Sequence, residues 1–285
     1  MALIGLTSFA SESGVPLAAE TIFTVGGFAV TNSMLLGVLV AGSLIASFLA
    51  MARYMTVRPA SKFAFFMETV VVFVLSNIKN SFGGDESKAR KFLPLFTALF
   101  LFILLNNLIG LLPIMGGAVY VTSETGLKAA LLRPFTTDLN GTLALAIISI
   151  GTVWVFAIKE RGFFGHVKHF YSVMEPWWNP INFFIGTIEI IGELIRLLTL
   201  ALRLFGVIYA GEVLLHVIVN LSGNFAPIAA FPIILMEIFF SFIQAYLFIM
   251  LSSTYLAIGT AHDESAQADS RSQQPDRQAP VAEQA

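Results

Sequence analysis

Long apolar runs separated by short charged stretches dominate the pattern of hydrophobic and polar positions along this chain. Three runs have the length of a single membrane crossing, for which a helix needs about 20 apolar residues. They cover residues 34–52, 92–113 and 139–158. A fourth run, residues 60–79, has Lys62 and Lys79 near its two ends. Positive charge at both ends favours an amphipathic helix lying at one membrane surface over a crossing.

Two further apolar runs are too long for one upright crossing. A helix over residues 180–220 would measure about 60 Å, and one over 228–261 about 50 Å, at about 1.5 Å per residue. The hydrocarbon core of a bilayer is only about 30 Å thick. Because neither run contains a central loop signal, we expect two steeply tilted helices that form a hairpin through the uncharged turn 221–227.

Composition agrees with this pattern and narrows the possible functions. Of 285 residues, 56% are hydrophobic and 12% are charged, whereas a soluble domain has about 25% charged residues. We therefore expect an all-α integral membrane protein in the lipid bilayer, with about five membrane helices and one interfacial amphipathic helix. The net charge of −2 argues against binding of nucleic acid. The absence of Cys excludes disulfides, thiolate metal sites and cysteine catalysis.

Lys and Arg are distributed unevenly between the predicted loops. Five crossings place the two ends of the chain on opposite sides of the membrane. Most basic loop residues then share one side, and only Lys128 and Arg133 lie in loops on the other, where we expect both to be exposed to solvent. Since cytoplasmic loops carry the excess of positive charge, we expect the N-terminus outside and the C-terminus in the cytoplasm.

The same pattern divides the chain into three parts. We expect an N-terminal extracytoplasmic segment at residues 1–33, a membrane domain at 34–262 and a disordered cytoplasmic tail at 263–285. The tail is rich in Gln, Ala and Asp and has little apolar surface to bury. The beginning of the chain lacks the basic region of a cleavable signal, and this favours a bacterial plasma (inner) membrane over the alternative of an organelle-encoded membrane protein.

Seven ionisable residues in the two longest runs carry the candidate chemistry. An ionisable group at bilayer depth costs at least about 2.5–3.5 kcal/mol and is a functional candidate by default. Ion pairs that only hold helices together are the alternative for any one of them. A set of this size on adjacent helices favours a polar pathway. Its members are Glu189, Glu193, Arg196, Arg203, Glu212, His216 and Glu237.

Helical geometry separates these residues into groups. With about 100° between successive residues, Glu189, Glu193, Arg196 and Arg203 share one stripe, whereas Glu212 and His216 face the other way. In the second run, Glu237, Ser241 and Gln244 form one polar face. Glu and His can relay protons, but an arginine keeps its proton. We interpret Arg203 as a positive barrier between two proton paths that do not join, which a moving partner must bridge.

Several segments resemble subunit a of the F-type ATP synthases. They are NNLIGLLP, RPFTTDLNGTLALA, PINFFIGTIEIIGE, LRLFGVIYAGE and FIQAYLFIMLSSTYL, in this order, and the likeness covers about residues 34–262. The resemblance implies a membrane stator beside a rotating ring of c subunits, each with one essential carboxylate. It also implies peripheral-stalk b subunits as partners, proton transport only within the ATP synthase complex, and no enzymatic activity, cofactor or metal of its own.

The resemblance assigns a role to each candidate residue. Arg203 matches the essential arginine, which attracts the deprotonated ring carboxylate and stops protons from leaking between two half-channels. Residues of the outer half-channel would be Glu212, Glu237, His216 and Asn107. Residues of the inner half-channel would be Glu189 and Glu193. Gln244 matches the glutamine that faces the arginine, with Ser241 nearby, and Arg196 matches a basic position that would pair with the inner acids.

Three positions depart from the family pattern. Val207 stands where an asparagine is usual, and Gly110 stands where some members have an acid. Members usually combine one acid and one histidine at the positions of Glu212 and Glu237, whereas both are glutamate here. Our hypothesis is that His216, one turn from Glu212, supplies the missing basic partner.

Two other classes of function compete with this interpretation. An autonomous secondary transporter would be expected to show inverted repeats and broken helices, and the sequence shows neither. A purely structural membrane subunit would leave Arg203 and its flanking acids without a purpose. His166 and His169 are spaced to bind a metal, but a solvated cytoplasmic loop explains them better, since neither Cys nor a carboxylate cluster accompanies them.

Overall fold

The computed structural model describes residues 19–54, 62–112, 120–122, 128–130, 133–161 and 180–272. Within these residues there are six α-helices and two short 3₁₀ helices. The helices are α1 (Asn32–Tyr54), α2 (Lys62–Ser81), α3 (Glu86–Gly110), α4 (Leu139–Arg161), α5 (Pro180–Ser222) and α6 (Ala226–Ser272). The predicted helical membrane fold is confirmed. His166, His169 and their loop lie outside the described residues.

Most of these helices are long and apolar enough to cross a membrane. This holds for α1, α2, α3 and the stretch 190–258 that contains most of α5 and α6, whereas the apolar part of α4, Leu139–Thr152, is shorter. The second half of α2 packs along α3 and α6. There Phe73 contacts Phe100 and Tyr246, with ring centroids 6.0 and 5.8 Å apart. The surface position of α2 stays a prediction.

The C-terminal hairpin predicted from the two longest runs is confirmed. α5 ends at Ser222, the 3₁₀ helix Gly223–Phe225 makes the turn, and α6 begins at Ala226. The structure extends α6 to Ser272, into the tail predicted as disordered from residue 263. Ala, Gln and Glu propagate an existing helix at little cost, because the unfavourable nucleation step has already been made. Residues 273–285 lie outside the described part.

α3 begins within the stretch 83–91, which the sequence pattern indicates as a loop. The side chain of Asp85 accepts hydrogen bonds from the backbone N–H groups of Ser87 (2.9 Å) and Lys88 (3.2 Å), and so caps the helix. Glu86 then pairs with Lys79 at the end of α2 at 3.1 Å. The cap and this pair fix the tight turn between α2 and α3.

Two short antiparallel hairpins add to the helices. β1 (Thr21–Val25) pairs with β2 (Phe28–Thr31), and β3 (Tyr120–Thr122) pairs with β4 (Lys128–Ala130). Between β1 and β2, Gly26 and Gly27 have φ angles of 59° and 86°. Two consecutive glycines with positive φ make the tight turn that suits the twist of a hairpin. The sequence analysis did not predict this hairpin, for which the Gly-Gly dipeptide is the available signal.

The core lies where α3 packs between α1, α2 and α6. It is built from apolar side chains such as Val40, Phe96, Phe100 and Ile249, all at most 2% exposed. Large apolar side chains also cover much of the outer surface of the helices. Such a surface is expected where lipid replaces water. This core holds α3, α5 and α6 in fixed register and so positions the ionisable residues.

Candidate functional site

Residues 133–138, which we call the connecting segment, contact α1, α3, α4 and α5 just before α4 begins. Its 3₁₀ helix spans Phe135–Thr137. Pro134 packs so closely on Gly110 that a β-carbon there would lie 2.1 Å from its Cγ. Phe135 packs in the same way against Gly37 and Gly141. The glycine at position 110 is therefore required by packing, because an acidic side chain would displace the segment.

Arg133 is the basic residue that contacts Glu212. Its Nη2 donates a hydrogen bond to Oε2 of Glu212 at 3.2 Å, and its guanidinium lies 5.9 Å from the ring centre of Tyr209. Arg133 is only 4% exposed, so the expectation that it is exposed to solvent is wrong. The carboxylate and the aromatic face offset the cost of burying its charge. The available signal was that Arg133 and Glu212 lie at the same end of the predicted topology.

Glu237 approaches Glu212 from the other arm of the hairpin. It is 7% exposed, and its carboxylate lies against the backbone of Gly211, the neighbour of Glu212. Glu237 therefore lies against the turn of α5 that carries Glu212. Within the described ranges, Oε2 of Glu237 has no hydrogen-bond partner. We call Glu212 and Glu237 the carboxylate pair.

Asn107 extends this polar region into α3. Its Oδ1 accepts a hydrogen bond from the hydroxyl of Thr136 in the connecting segment, and its buried Nδ2 has no partner among the described residues. His216 lies one turn beyond Glu212 on an exposed part of α5. No hydrogen bond or ion pair within the described ranges joins His216 to Glu212. The basic residue in contact with Glu212 is Arg133, and the role hypothesised for His216 stays a prediction.

The polar face of α6 is buried against the bundle. Glu237, Ser241 and Gln244 are all buried along it. Gly211 touches Glu237, and Arg196 lies over the ring of Tyr255 at 5.2 Å. The antiparallel register set by these contacts brings Gln244 level with the turn of α5 that carries Arg203.

Arg203 lies on the exposed side of α5. Its neighbours Leu200, Ala201 and Leu204 are buried in the bundle. In the part of the chain that the structure describes, no salt bridge or side-chain hydrogen bond engages Arg203. Among the described residues, no hydrogen bond joins Arg203 to Gln244, and the facing arrangement that the resemblance implies stays a prediction. The guanidinium is therefore accessible to a partner outside this chain.

A second polar contact lies on the other side of Arg203 along α5. Trp154 of α4 donates a hydrogen bond from Nε1 to Oε2 of Glu193. Arg196 contacts Tyr255 and, within the described residues, does not pair with Glu193. Glu189 belongs to α5, but its side chain lies outside what the structure describes. Nothing in the sequence pattern marks Trp154 as a partner of Glu193, since an isolated Trp in an apolar run indicates only packing.

Comparison with known proteins identifies the family. The family model of the ATP synthase A chain matches residues 33–257. The chain belongs to this family. Two relatives named ATP synthase subunit a are 34% identical to this chain: one from Geotalea uraniireducens, over 191 residues, and one from Geobacter sulfurreducens, over 192 residues. Each alignment covers 67% of this chain and 71% of the relative. A relative from Bradyrhizobium, named ATP synthase subunit a 2, is 29% identical over 86% of this chain and 96% of its own length.

Membership of the ATP synthase A chain family confirms the resemblance drawn from the sequence. The names of the relatives describe a subunit of a complex rather than an enzyme by itself. With several helices able to cross a membrane, this member of the family is a multi-pass membrane protein. Chemically, its polar residues offer proton-binding carboxylates on both sides of Arg203 along α5, and a fixed positive charge between them.

Proposed function

We propose that the chain is the proton-translocating stator subunit in the membrane part of ATP synthase, and that it couples proton flow to ATP synthesis. Two offset half-channels would lead to a rotating ring of c subunits, and Arg203 would separate them. The observation that carries the proposal is the exposed, unpaired state of Arg203 within the described part of the chain. Polar contacts at Glu193 and at Glu212 flank it along α5.

The outer half-channel is proposed at the carboxylate pair. Glu212 and Glu237 would accept and release the proton, while Asn107 and Ser241 would offer hydrogen bonds and His216 would lie toward the exposed end. Support comes from the buried position of Glu237 and its free carboxylate oxygen among the described residues. Arg203 is nine residues from Glu212, about 14 Å along a helix, so a proton cannot pass directly between them.

Arg203 is proposed to bind the ring carboxylate in its deprotonated form. A guanidinium keeps its charge across the accessible pH range, so it attracts the carboxylate until a proton neutralises that group. Ile195, Leu198 and Leu202 are exposed on the adjoining face of α5 and would contact the apolar surface of the c-ring. One charge crossing 100 mV supplies about 2.3 kcal/mol, so several crossings are needed for each ATP.

The inner half-channel is proposed around Glu193 and Glu189. The hydrogen bond from Trp154 would hold the carboxylate of Glu193 in place. Gln244 and Arg196 would lie near the boundary between this path and Arg203. In this proposal the N-terminus is outside and the C-terminus is in the cytoplasm of a bacterial cell, and peripheral-stalk b subunits hold the chain against the turning ring.

ATP-driven proton pumping in membrane vesicles tests the function. We expect Arg203→Ala to abolish pumping in an assembled complex, with passive proton leak kept or increased after removal of the catalytic head. Arg53→Ala is the matched control, because Arg53 is exposed at the end of α1, outside the proposed path. Normal pumping by Arg203→Ala would show that the charge is structural and that the half-channel proposal is wrong.

A further inference from the structure

We propose that Arg133 is a positioning residue for proton transfer: its guanidinium is the permanent counter-charge that lets Glu212 and Glu237 hold one exchangeable proton between them. This inference rests on the proposed outer half-channel. It assigns to the connecting segment a part in proton transfer. The contacts between Arg133 and Glu212, and between Glu237 and Gly211, bring the three charged groups together.

The position of Arg133 is fixed from several sides. Its Nη2 lies 3.2 Å from Oε2 of Glu212, and its guanidinium faces the ring of Tyr209. The next two residues, Pro134 and Phe135, pack directly on glycines of α1, α3 and α4. A guanidinium held in this way cannot follow the proton toward the ring. It acts on the carboxylates through its field and does not carry the proton itself.

Charge counting shows what Arg133 contributes. With Arg133 present, the site has a net charge of −1 when both carboxylates are ionised and of zero when one proton is bound. Without it, the same two states carry −2 and −1. Two carboxylates that lie close together oppose each other's ionisation. A positive charge within about 4–6 Å favours the ionised form and, in general, lowers the pKa of a carboxylate by about 1–3 units. Arg133 therefore offsets one of the two negative charges, so that binding and release of one proton alternate the site between zero and −1.

The groups that face the carboxylate pair come from three elements. Arg133 belongs to the connecting segment, Tyr209 and Glu212 to α5, and Glu237 to α6. Among the described residues near the pair, Arg133 is the group whose positive charge does not depend on pH. The counter-charge therefore persists at pH values at which a histidine would have lost its proton.

The test compares Arg133 variants in the complete ATP synthase. ATP-driven proton pumping would be measured in vesicles as a function of pH, for Arg133→Gln, Arg133→Lys, Glu212→Gln and the double variant Arg133→Gln/Glu212→Gln. For Arg133→Gln we expect the rate of proton pumping to fall at least about tenfold near neutral pH. We also expect the pH profile of pumping to shift upward by about one pH unit. Arg133→Lys keeps the charge and should retain most of the pumping at an unshifted pH.

The double variant separates charge from packing. In this variant Glu237 is the one ionisable carboxylate left in the pair, so the net charge of the site again alternates between −1 and zero. Pumping should therefore exceed that of Arg133→Gln. If Arg133→Gln fails to assemble, recovery of the complex by the double variant would support the same conclusion. An unshifted profile for Arg133→Gln, or loss of assembly in both Arg133→Lys and the double variant, would overturn the inference.

Failure of this inference can be distinguished from failure of the proposed function. If Arg133→Gln pumps with an unshifted profile while Arg203→Ala does not pump, Arg133 has no part in proton transfer and the half-channel proposal stands. If Arg203→Ala itself pumps normally, the proposed function is wrong, and the counter-charge assigned to Arg133 is wrong with it.

Discussion

Glu237 and Gly211 touch across the α5–α6 hairpin, where Oε1 of the carboxylate lies 2.5 Å from the place that a β-carbon on Gly211 would take. The absence of a side chain at position 211 therefore makes the room in which the carboxylate lies beside Glu212. Glycine allows such close approach because it has no β-carbon. This contact places the carboxylate of Glu237 against the turn of α5 that carries Glu212.

Gly211→Ala should displace the carboxylate of Glu237 without unfolding the hairpin. The added methyl meets the flexible end of one side chain, so the complex should still assemble. Pumping should fall by at least roughly tenfold, since a misplacement of about 1 Å at a reacting group costs up to about 100-fold. The measurement is ATP-driven proton pumping by the purified complex in vesicles.

Gly42→Ala is the matched control for this change. A β-carbon at Gly42 in α1 would meet no atom within 4 Å. Alanine is also the better helix former, by up to about 1 kcal/mol. Pumping should therefore stay at the level of the unchanged protein. Equal losses in the two variants would contradict a specific role for the contact between Gly211 and Glu237.

Gly110→Ala should disturb the connecting segment. The new β-carbon would lie 2.1 Å from Cγ of Pro134, and a proline ring cannot rotate away from it. The segment must therefore shift and weaken the contact between Arg133 and Glu212. We expect less of the chain to be recovered in the purified complex, and reduced pumping by what assembles. Unchanged recovery and pumping, compared with Gly151→Ala in open space on α4, would contradict this account.

The sequence predicts the helices well because apolar runs of membrane length have few alternatives. The apolar run predicted at 34–52 lies within the helix Asn32–Tyr54, and the hairpin turn predicted at 221–227 contains Gly223–Phe225. The predictions that fail are those in which polar residues determine where a helix begins or ends. Asp85 caps a helix within a stretch that charge alone marks as a loop, and the tail residues 263–272 extend a helix that already exists.

The candidate site could be predicted only in part. Spacing on one helix indicates that Glu237, Ser241 and Gln244 share a face, and all three are buried. The pairing of Arg133 with Glu212 joins residues 79 positions apart through a loop, and no periodicity reports such a contact. From the sequence alone, a basic residue in a predicted loop is expected to be exposed to solvent. Only the packing of the connecting segment shows that this one is buried.

Asp85→Ala should loosen the first turn of α3. The carboxylate caps two backbone N–H groups, at Ser87 and Lys88, and loss of such a cap costs about 1 kcal/mol. Hydrogen exchange at these amides in the assembled complex should therefore become about fivefold faster. Asp85→Asn keeps a capping oxygen and should change the exchange rate much less. Equal exchange in all three proteins would show that the cap does not stabilise this end of α3.

Trp154→Phe tests the proposed inner half-channel. Phenylalanine keeps an aromatic ring but cannot donate the hydrogen bond that Nε1 of Trp154 gives to Glu193. We expect pumping to fall several-fold, with a changed dependence on cytoplasmic pH, because the carboxylate loses the group that orients it. In Glu193→Gln the added Trp154→Phe change should have little further effect, since residues in contact are coupled. Val155→Leu, at an exposed position on α4, is the control. Additive losses in the double variant would mean that Trp154 acts by packing alone and that its bond to Glu193 has no part in proton transfer.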